Sequence, residues 1–172
     1  ATDEASYDRL SALGHQQARW LGEHLIDTNQ VHQNLFTGTL RRHAETADGM
    51  ATGLEPIRDE RLNELEYFTL ATALEAEHGL AMPTQQSEFA HHLPRVFEAW
   101  QANKIEGAPE RFSDFETRVN DVIKDISARP GPSLVVTSGG LISMVMRQHL
   151  DLDIVKMANL ALAIMNSSIH RL

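Results

Sequence analysis

The chain has 172 residues, 42% of them hydrophobic, which suits one globular domain spanning residues 1–172 and excludes a disordered chain. Its 24 acidic and 15 basic residues give a net charge of −9, which argues against nucleic acid and anionic membrane as partners. Cysteine is absent, which excludes disulfides and thiol nucleophiles and fits the cytoplasmic location that we expect. No apolar run reaches the length of a transmembrane helix.

Short strand-like segments alternate with helical ones along most of the chain. The segments predicted to be strands or extended are Leu35–Thr37, Pro56–Arg58, Leu134–Thr137 and Leu160–Met165. This alternation indicates an α/β layered domain with a mostly parallel sheet. Residues 69–104 carry helical spacing only, and we interpret them as a helical insertion over one end of the sheet. In such folds ligands bind beyond the carboxyl ends of the strands.

The first candidate site is the segment Ser133–Leu150, in which a buried strand meets an apolar helix at Ser138-Gly139-Gly140. Such a turn presents backbone N–H groups at a helix N-terminus, where anions bind. The alternative is that this is only a turn, as most strand–Gly–helix junctions are. A serine-hydrolase elbow needs glycine two residues before the serine, and Val136 stands there.

A second candidate is the basic pair Arg41 and Arg42, in the first turn of the helix for which Thr39 is the predicted N-cap. Cations at a helix N-terminus oppose the helix dipole, so an anion bound between them and the backbone amides would explain their position. The planar guanidinium binds phosphate oxygens bidentately. The alternative is that both are solvated cations or are paired with Glu45 or Asp48.

Glu64 is the third candidate, in an acidic loop with the sequence LNELEYF. A carboxylic acid beside a bound phosphate can protonate a leaving alkoxide, although a solvated acidic surface is the alternative. The nine histidines show no metal-binding spacing such as H-E-x-x-H, so we expect no metal site.

Four segments carry recognisable patterns, and the chain has them in the order YDRLSALGHQQARWLGEHL (Tyr7–Leu25), LFTGTLRRHAETA (Leu35–Ala47), ERLNELEYF (Glu60–Phe68) and LVVTSGGLI (Leu134–Ile142). They resemble the patterns LS-x-LG-x-x-QA, S-x-L-x-R-A-x-x-TA, ERL-x-E-x-x-x-G and VLVVSHGGVI of the histidine phosphatase superfamily, also called the phosphoglycerate mutase-like family. Asn166-Ser167-Ser168 resembles the NTS of many members.

The resemblance implies a three-layer α/β/α fold with a phosphate pocket at the strand ends and no cofactor. Members typically use the histidine of an RHG motif as a nucleophile, which forms a phosphohistidine. Arg42 matches the phosphate-binding arginine, four residues before Thr46, and Glu64 matches the proton donor. Ser138 stands at the position of a second phosphate-binding histidine, and with Gly139 it would line the phosphate pocket.

Three departures from the family pattern accompany the resemblance. No RHG occurs in these residues, and we expect it to precede Ala1 together with the first strand. Ser138 carries no charge and donates a single hydrogen bond, so His43 or the backbone amides after the serine would have to compensate. Phe68-Thr69 stands where the pattern has glycine after its acidic motif.

We therefore expect a hydrolase, a phosphatase of phosphomonoesters acting on a phosphorylated small molecule, since the chain is shorter than the family's mutases. The alternative is a non-catalytic or weakly active member that binds a phosphorylated ligand or partner protein. The serine at position 138 favours this alternative, whereas Arg42 together with Glu64 favours the enzyme. The substrate and the oligomeric state are left open.

Overall fold

The structure is a computed structural model that describes residues 8–172, apart from the side chain of Gln86. Its α-helices are α1 (Ala12–Asp27), α2 (Arg41–Met50), α3 (Tyr67–His78), α4 (Gln86–Gln101), α5 (Phe112–Ser127), α6 (Gly139–Leu150) and α7 (Ile154–Ala163). Its strands are β1 (Asn34–Thr37), β2 (Pro56–Arg58) and β3 (Ser133–Val136), and Glu60–Leu62 form a 3₁₀-helix. No helix within residues 8–172 is both long and apolar enough to cross a membrane.

The chain divides into two compact units, which are described separately. The first unit comprises the described residues up to Asn63 together with Val122–Ser138 and Ile164–Leu172. The second unit comprises Glu64–Asp121 and Gly139–Ala163. The chain passes from the first unit to the second after Asn63 and again after Ser138. Arg42 and Ser138 therefore belong to the first unit and Glu64 to the second.

A parallel sheet with the strand order β2-β1-β3 forms the centre of the first unit. Leu35 of β1 lies opposite Pro56 on one side and Leu134 on the other. Helices α1 and α2 pack closely together, since a Cβ on Gly22 would overlap the backbone of Met50. Because β1 and β3 run parallel as neighbours, their carboxyl ends lie side by side, and the N–H of Gly38 donates to the carbonyl of Val136 at 3.3 Å.

The second unit is helical. Helix α4 packs on α3 and on α7, and α6 packs on α7. Large buried side chains fill its interior, among them Phe97, Trp100 and Phe115. The indole N–H of Trp100 donates to the carbonyl of Glu110 at 2.8 Å, so the one polar atom of this ring is satisfied where the ring is buried.

The predicted mixed α/β fold with a parallel sheet is confirmed, but the predicted last strand, Leu160–Met165, is wrong. Residues up to Ala163 continue helix α7, which begins at Ile154. Leucine, alanine and methionine are strong helix formers, and Leu160–Met165 contains a single β-branched residue, Ile164. The apolar run therefore belongs to a helix that buries Met157 and Ala158.

Candidate active site

Arg42 lies in the first turn of α2, directly after the carboxyl end of β1, and its side chain is only 12% exposed. Its Nη1 donates to Asp8 Oδ1 at 3.1 Å. The same carboxylate accepts the backbone N–H groups of Arg41 and Arg42 at 3.0 and 3.2 Å. Asp8 is therefore an anion that lies between the guanidinium and the helix amides, in the position that the basic pair indicated.

Arg41 has a different environment from its neighbour. Its side chain is 66% exposed, and its Nε donates to Glu45 Oε1 at 2.6 Å. Arg41 thus forms a surface ion pair within one helix, which was the alternative to anion binding by the basic pair. For Arg42 it shows a shielded cation held by a residue 34 positions away.

The start of α2 differs from the prediction that Thr39 is its N-cap. The helix begins at Arg41 with Leu40 as the N-cap residue, whose side chain makes no capping hydrogen bond. Asp8 takes the place of the cap, since it accepts the N–H groups of the first two residues of the helix. Asn63 Oδ1 accepts the N–H groups of Thr39 and Leu40, directly before the helix, at 2.7 and 3.3 Å. Side chains from distant segments therefore bind the amides that a local cap usually satisfies.

His43 lies beside Arg42 and is 2% exposed. Its Nε2 is 2.6 Å from Ser138 Oγ, and Arg42 Nε donates to the same oxygen at 3.4 Å. Burial, and then the charge of Arg42, lower the pKa of His43 to about 4 against the opposing effect of Asp8. The structure thus brings Arg42 and Ser138 together, with an imidazole that is neutral at pH 7 as their neighbour.

Glu64 is the first residue of the second unit and precedes α3 in the chain. Its Oε2 accepts the N–H of Gly140 in the first turn of α6 at 2.9 Å, and its Oε1 accepts the N–H of Leu65 at 3.0 Å. A Cβ on Gly140 would overlap Glu64 Oε1, so glycine is required there for the carboxylate to reach the helix. An amide of the turn predicted to bind an anion is therefore bound by Glu64 itself.

The predicted residues thus form two sets. Arg42 and Ser138 lie together in the first unit, whereas Glu64 lies on the first turn of α6, which Gly139 begins, in the second. Sequence reasoning missed Asp8, because no local pattern connects it to α2. Within residues 8–172, no group of three or more His, Asp or Glu side chains is placed to hold a metal ion.

A parallel sheet whose strands alternate with helices along the chain defines an α/β protein. The family model of the histidine phosphatase superfamily (branch 1) matches residues 7–172. The chain therefore belongs to this superfamily, and the resemblance based on its four segments is confirmed.

Solved structures share the fold, and two of the three described here are named as phosphatases. A mycobacterial glucosyl-3-phosphoglycerate phosphatase is 22% identical with a TM-score of 0.58, and the match covers 87% of this chain and 73% of that one. A putative alpha-ribazole-5'-P phosphatase from Escherichia coli is 21% identical with a TM-score of 0.62, covering 87% and 70%. Bacillus stearothermophilus YhfR is 26% identical with a TM-score of 0.57, covering 86% and 70%. A comparison with curated protein sequences gives no match.

Proposed function

We propose that the protein is a phosphatase that hydrolyses phosphomonoesters of small molecules in the cytoplasm through a phosphohistidine. Arg42, Ser138 and Gly139 bind the phosphoryl group in this proposal. The observation that carries it is the shielded guanidinium of Arg42, which lies 3.4 Å from Ser138 Oγ at the carboxyl ends of two parallel strands in a member of the histidine phosphatase superfamily.

The environment of Arg42 supports a role in stabilising negative charge. Asp8 holds the guanidinium and the first turn of α2 at once, and Ser138 contacts it at Nε. A donor whose orientation is already determined does not have to reorganise when charge develops on the phosphoryl oxygens. Removal of one such donor typically lowers turnover by about 10²-fold to 10³-fold.

The proposed reaction has two steps. The nucleophile, as the resemblance implies, is a histidine of an RHG motif in residues preceding Ala1. Its nitrogen attacks phosphorus, the N–P bond forms, the P–O bond to the alcohol breaks, and the carboxyl of Glu64 gives its proton to the departing oxygen. Water then gives a proton to the Glu64 carboxylate and attacks phosphorus, and the N–P bond breaks, which releases inorganic phosphate and regenerates the histidine and the carboxyl group.

The proposal needs Glu64 in its protonated form, and the negative charge of a bound phosphate favours that form, whereas the backbone donors and the helix dipole favour the carboxylate. Two backbone N–H groups, those of Gly140 and Leu65, determine the orientation of its carboxyl group, and a glycine admits it to the helix. A positioned acid contributes about 10²-fold to 10⁴-fold to such a reaction.

The test is turnover of p-nitrophenyl phosphate by the full-length protein at mildly acidic and neutral pH. We expect Arg42→Ala and Glu64→Gln each to lower kcat by about 10²-fold or more. The matched controls are Arg41→Ala and Glu66→Gln, which alter exposed neighbours and should stay within about twofold. An inactive natural protein, or variants as active as their controls, would contradict the proposal.

A second candidate function is that of a non-catalytic or weakly active member that binds a phosphorylated ligand or partner protein. The observation that favours it is Ser138, an uncharged side chain where the family pattern has a second histidine. Binding of inorganic phosphate to the full-length protein without any turnover would support this candidate. The absence of an Arg-His-Gly sequence among the residues encoded before Ala1 would support it as well.

A further inference from the structure

The buried imidazole of His43 has two differently placed nitrogens. Nε2 lies 2.6 Å from Ser138 Oγ. Nδ1 has no hydrogen-bond partner among residues 8–172, and it faces Gly38, on which a Cβ would overlap Nδ1. The ring is thus enclosed on one side by a glycine that leaves it room, and its other side points at the serine.

This arrangement selects one tautomer of the ring. A buried N–H group without a partner is rarer and more costly than a buried acceptor without one. The proton of the neutral ring therefore belongs on Nε2, where it is donated to Ser138 Oγ. Protonation of Nδ1 would place a donor against Gly38, which adds to the burial and the Arg42 charge that disfavour the imidazolium.

The same tautomer determines what Ser138 can do. A hydroxyl has two acceptor lone pairs and one proton to donate. Ser138 Oγ accepts from Arg42 Nε and, with this tautomer, from His43 Nε2. With both lone pairs engaged, the hydroxyl proton is directed away from these two residues as a donor.

Resting on the proposed function, we propose that His43 is a positioning residue that holds the Ser138 hydroxyl as a hydrogen-bond donor to the phosphoryl group. The S-x-L-x-R-A pattern has alanine where this chain has His43, and the SHGG pattern has histidine where it has Ser138. The chain therefore lacks the imidazole of the SHGG pattern, where Ser138 stands, and has an additional imidazole at His43. The structure places the His43 ring against Ser138.

The experiment is a double-mutant cycle in the full-length protein. The measurements are the affinity for inorganic phosphate by calorimetry and the kcat and KM for p-nitrophenyl phosphate. We expect His43→Ala and Ser138→Ala each to weaken phosphate binding about tenfold. The double variant should bind no more weakly than Ser138→Ala, because His43 acts through the serine. His43→Gln, whose amide can donate to Oγ, should recover most of the affinity.

Three results would overturn the inference. The first is additive losses in the double variant. The second is an unchanged phosphate affinity in His43→Ala beside a lower unfolding temperature, which would indicate a purely structural residue. The third is an Nδ1–H tautomer in the ¹⁵N NMR spectrum of the natural protein. The exposed His24→Ala variant is the control and should bind phosphate as the natural protein does.

A pair of exchange variants extends the test. Ser138→His alone places a second ring against Nε2 of the buried His43, so we expect weaker phosphate binding or a lower unfolding temperature. Ser138→His combined with His43→Ala restores the family pattern at both positions and should bind phosphate at least as tightly as the natural protein. A double variant no better than Ser138→His alone would contradict the proposed exchange of roles.

The phosphatase proposal and this inference fail in different ways. If the natural protein binds phosphate without turnover, the phosphatase proposal is contradicted. The phosphate affinities of the variants then still decide the role of His43. If the natural protein turns over substrate and the double variant shows additive losses of phosphate affinity, only the proposed role of His43 is contradicted. A natural protein that neither binds phosphate nor turns over substrate would overturn both.

Discussion

In each of the two helices that follow β1 and β3, a carboxylate from a distant part of the chain accepts backbone N–H groups of the first turn. At α2, Asp8 accepts the N–H groups of Arg41 and Arg42. At α6, Glu64 accepts the N–H of Gly140. Both arrangements use the unpaired amides and the positive end of a helix dipole, which favour a negative charge there.

A glycine admits a titratable side chain at each of these turns. A Cβ on Gly38 would overlap His43 Nδ1, and a Cβ on Gly140 would overlap Glu64 Oε1. The two turns differ in the role of the carboxylate that binds the helix amides. Asp8 also binds the guanidinium of Arg42, whereas Glu64 is itself the group proposed to react. The same helix-end electrostatics thus orient a cation in one unit and an acid in the other.

The largest effects should come from filling the two glycine positions. We expect Gly140→Ala to displace Glu64 and lower kcat about 10²-fold with phosphate affinity retained. Gly38→Ala should displace His43 and weaken phosphate binding instead. Steady-state kinetics and calorimetry separate the two results, and the same defect in both variants would contradict the comparison. Gly107→Ala, whose Cβ would lie 3.1 Å from that of Ala73, is the control and should stay active.

The next effect is on stability as a function of pH. The pKa of His43 is about 4 in the folded chain and 6.5 for the free side chain, so the unfolded chain binds more protons between these values. The contribution of this group is complete above pH 6.5 and is lost as the pH falls toward 4. At about 1.4 kcal/mol per pH unit, about 2 kcal/mol should be lost by pH 5.

Urea unfolding at pH 7.5, 6 and 5 measures this loss. The natural protein should lose stability more steeply than His43→Ala, since both share every other titrating group, including Asp8 beside the ring. The exposed His24→Ala variant should follow the natural protein. Equal slopes for the natural protein and His43→Ala would show that the ring is not held neutral.

Much of the fold and part of the site follow from local patterns. The strand-to-helix turns near Arg42 and Ser138 were predictable because periodic apolar spacing and small turn residues act over a few positions. The same local approach gave a strand for Leu160–Met165, where an apolar run alone does not distinguish strand from buried helix. Leucine and alanine in that run were the available signal for the helix.

The contacts that orient the site residues act over distances that no local pattern spans. Asp8 is 34 positions from Arg42, and Ser138 is 95 positions from His43. The pair of His43 and Ser138 forms only when β1 and β3 align in the sheet. The pair of Asp8 and Arg42 forms only when the segment before α1 packs against the start of α2. One signal was available for His43, namely a histidine directly beside the matched arginine, but its burial depends on Gly38 and the turn around it.

The smallest expected effect distinguishes the two carboxylates directly. Asp8→Asn keeps an acceptor for one of the two amides of α2 and removes the charge that pairs with Arg42. We expect a loss of about 1 kcal/mol in the free energy of unfolding, with turnover within about fivefold. Glu64→Gln should lower turnover about 10²-fold with a comparable loss of stability, because its amide nitrogen replaces one of the two oxygens that accept backbone N–H groups.

Urea unfolding and turnover of p-nitrophenyl phosphate, measured on both variants, make this comparison. The exposed Asp48→Asn, in the same helix as Arg42, is the control and should change neither quantity appreciably. If Asp8→Asn lost turnover as severely as Glu64→Gln, Asp8 would be part of the reacting site. The carboxylate at α2 would then be more than the counter-ion that holds Arg42 in place.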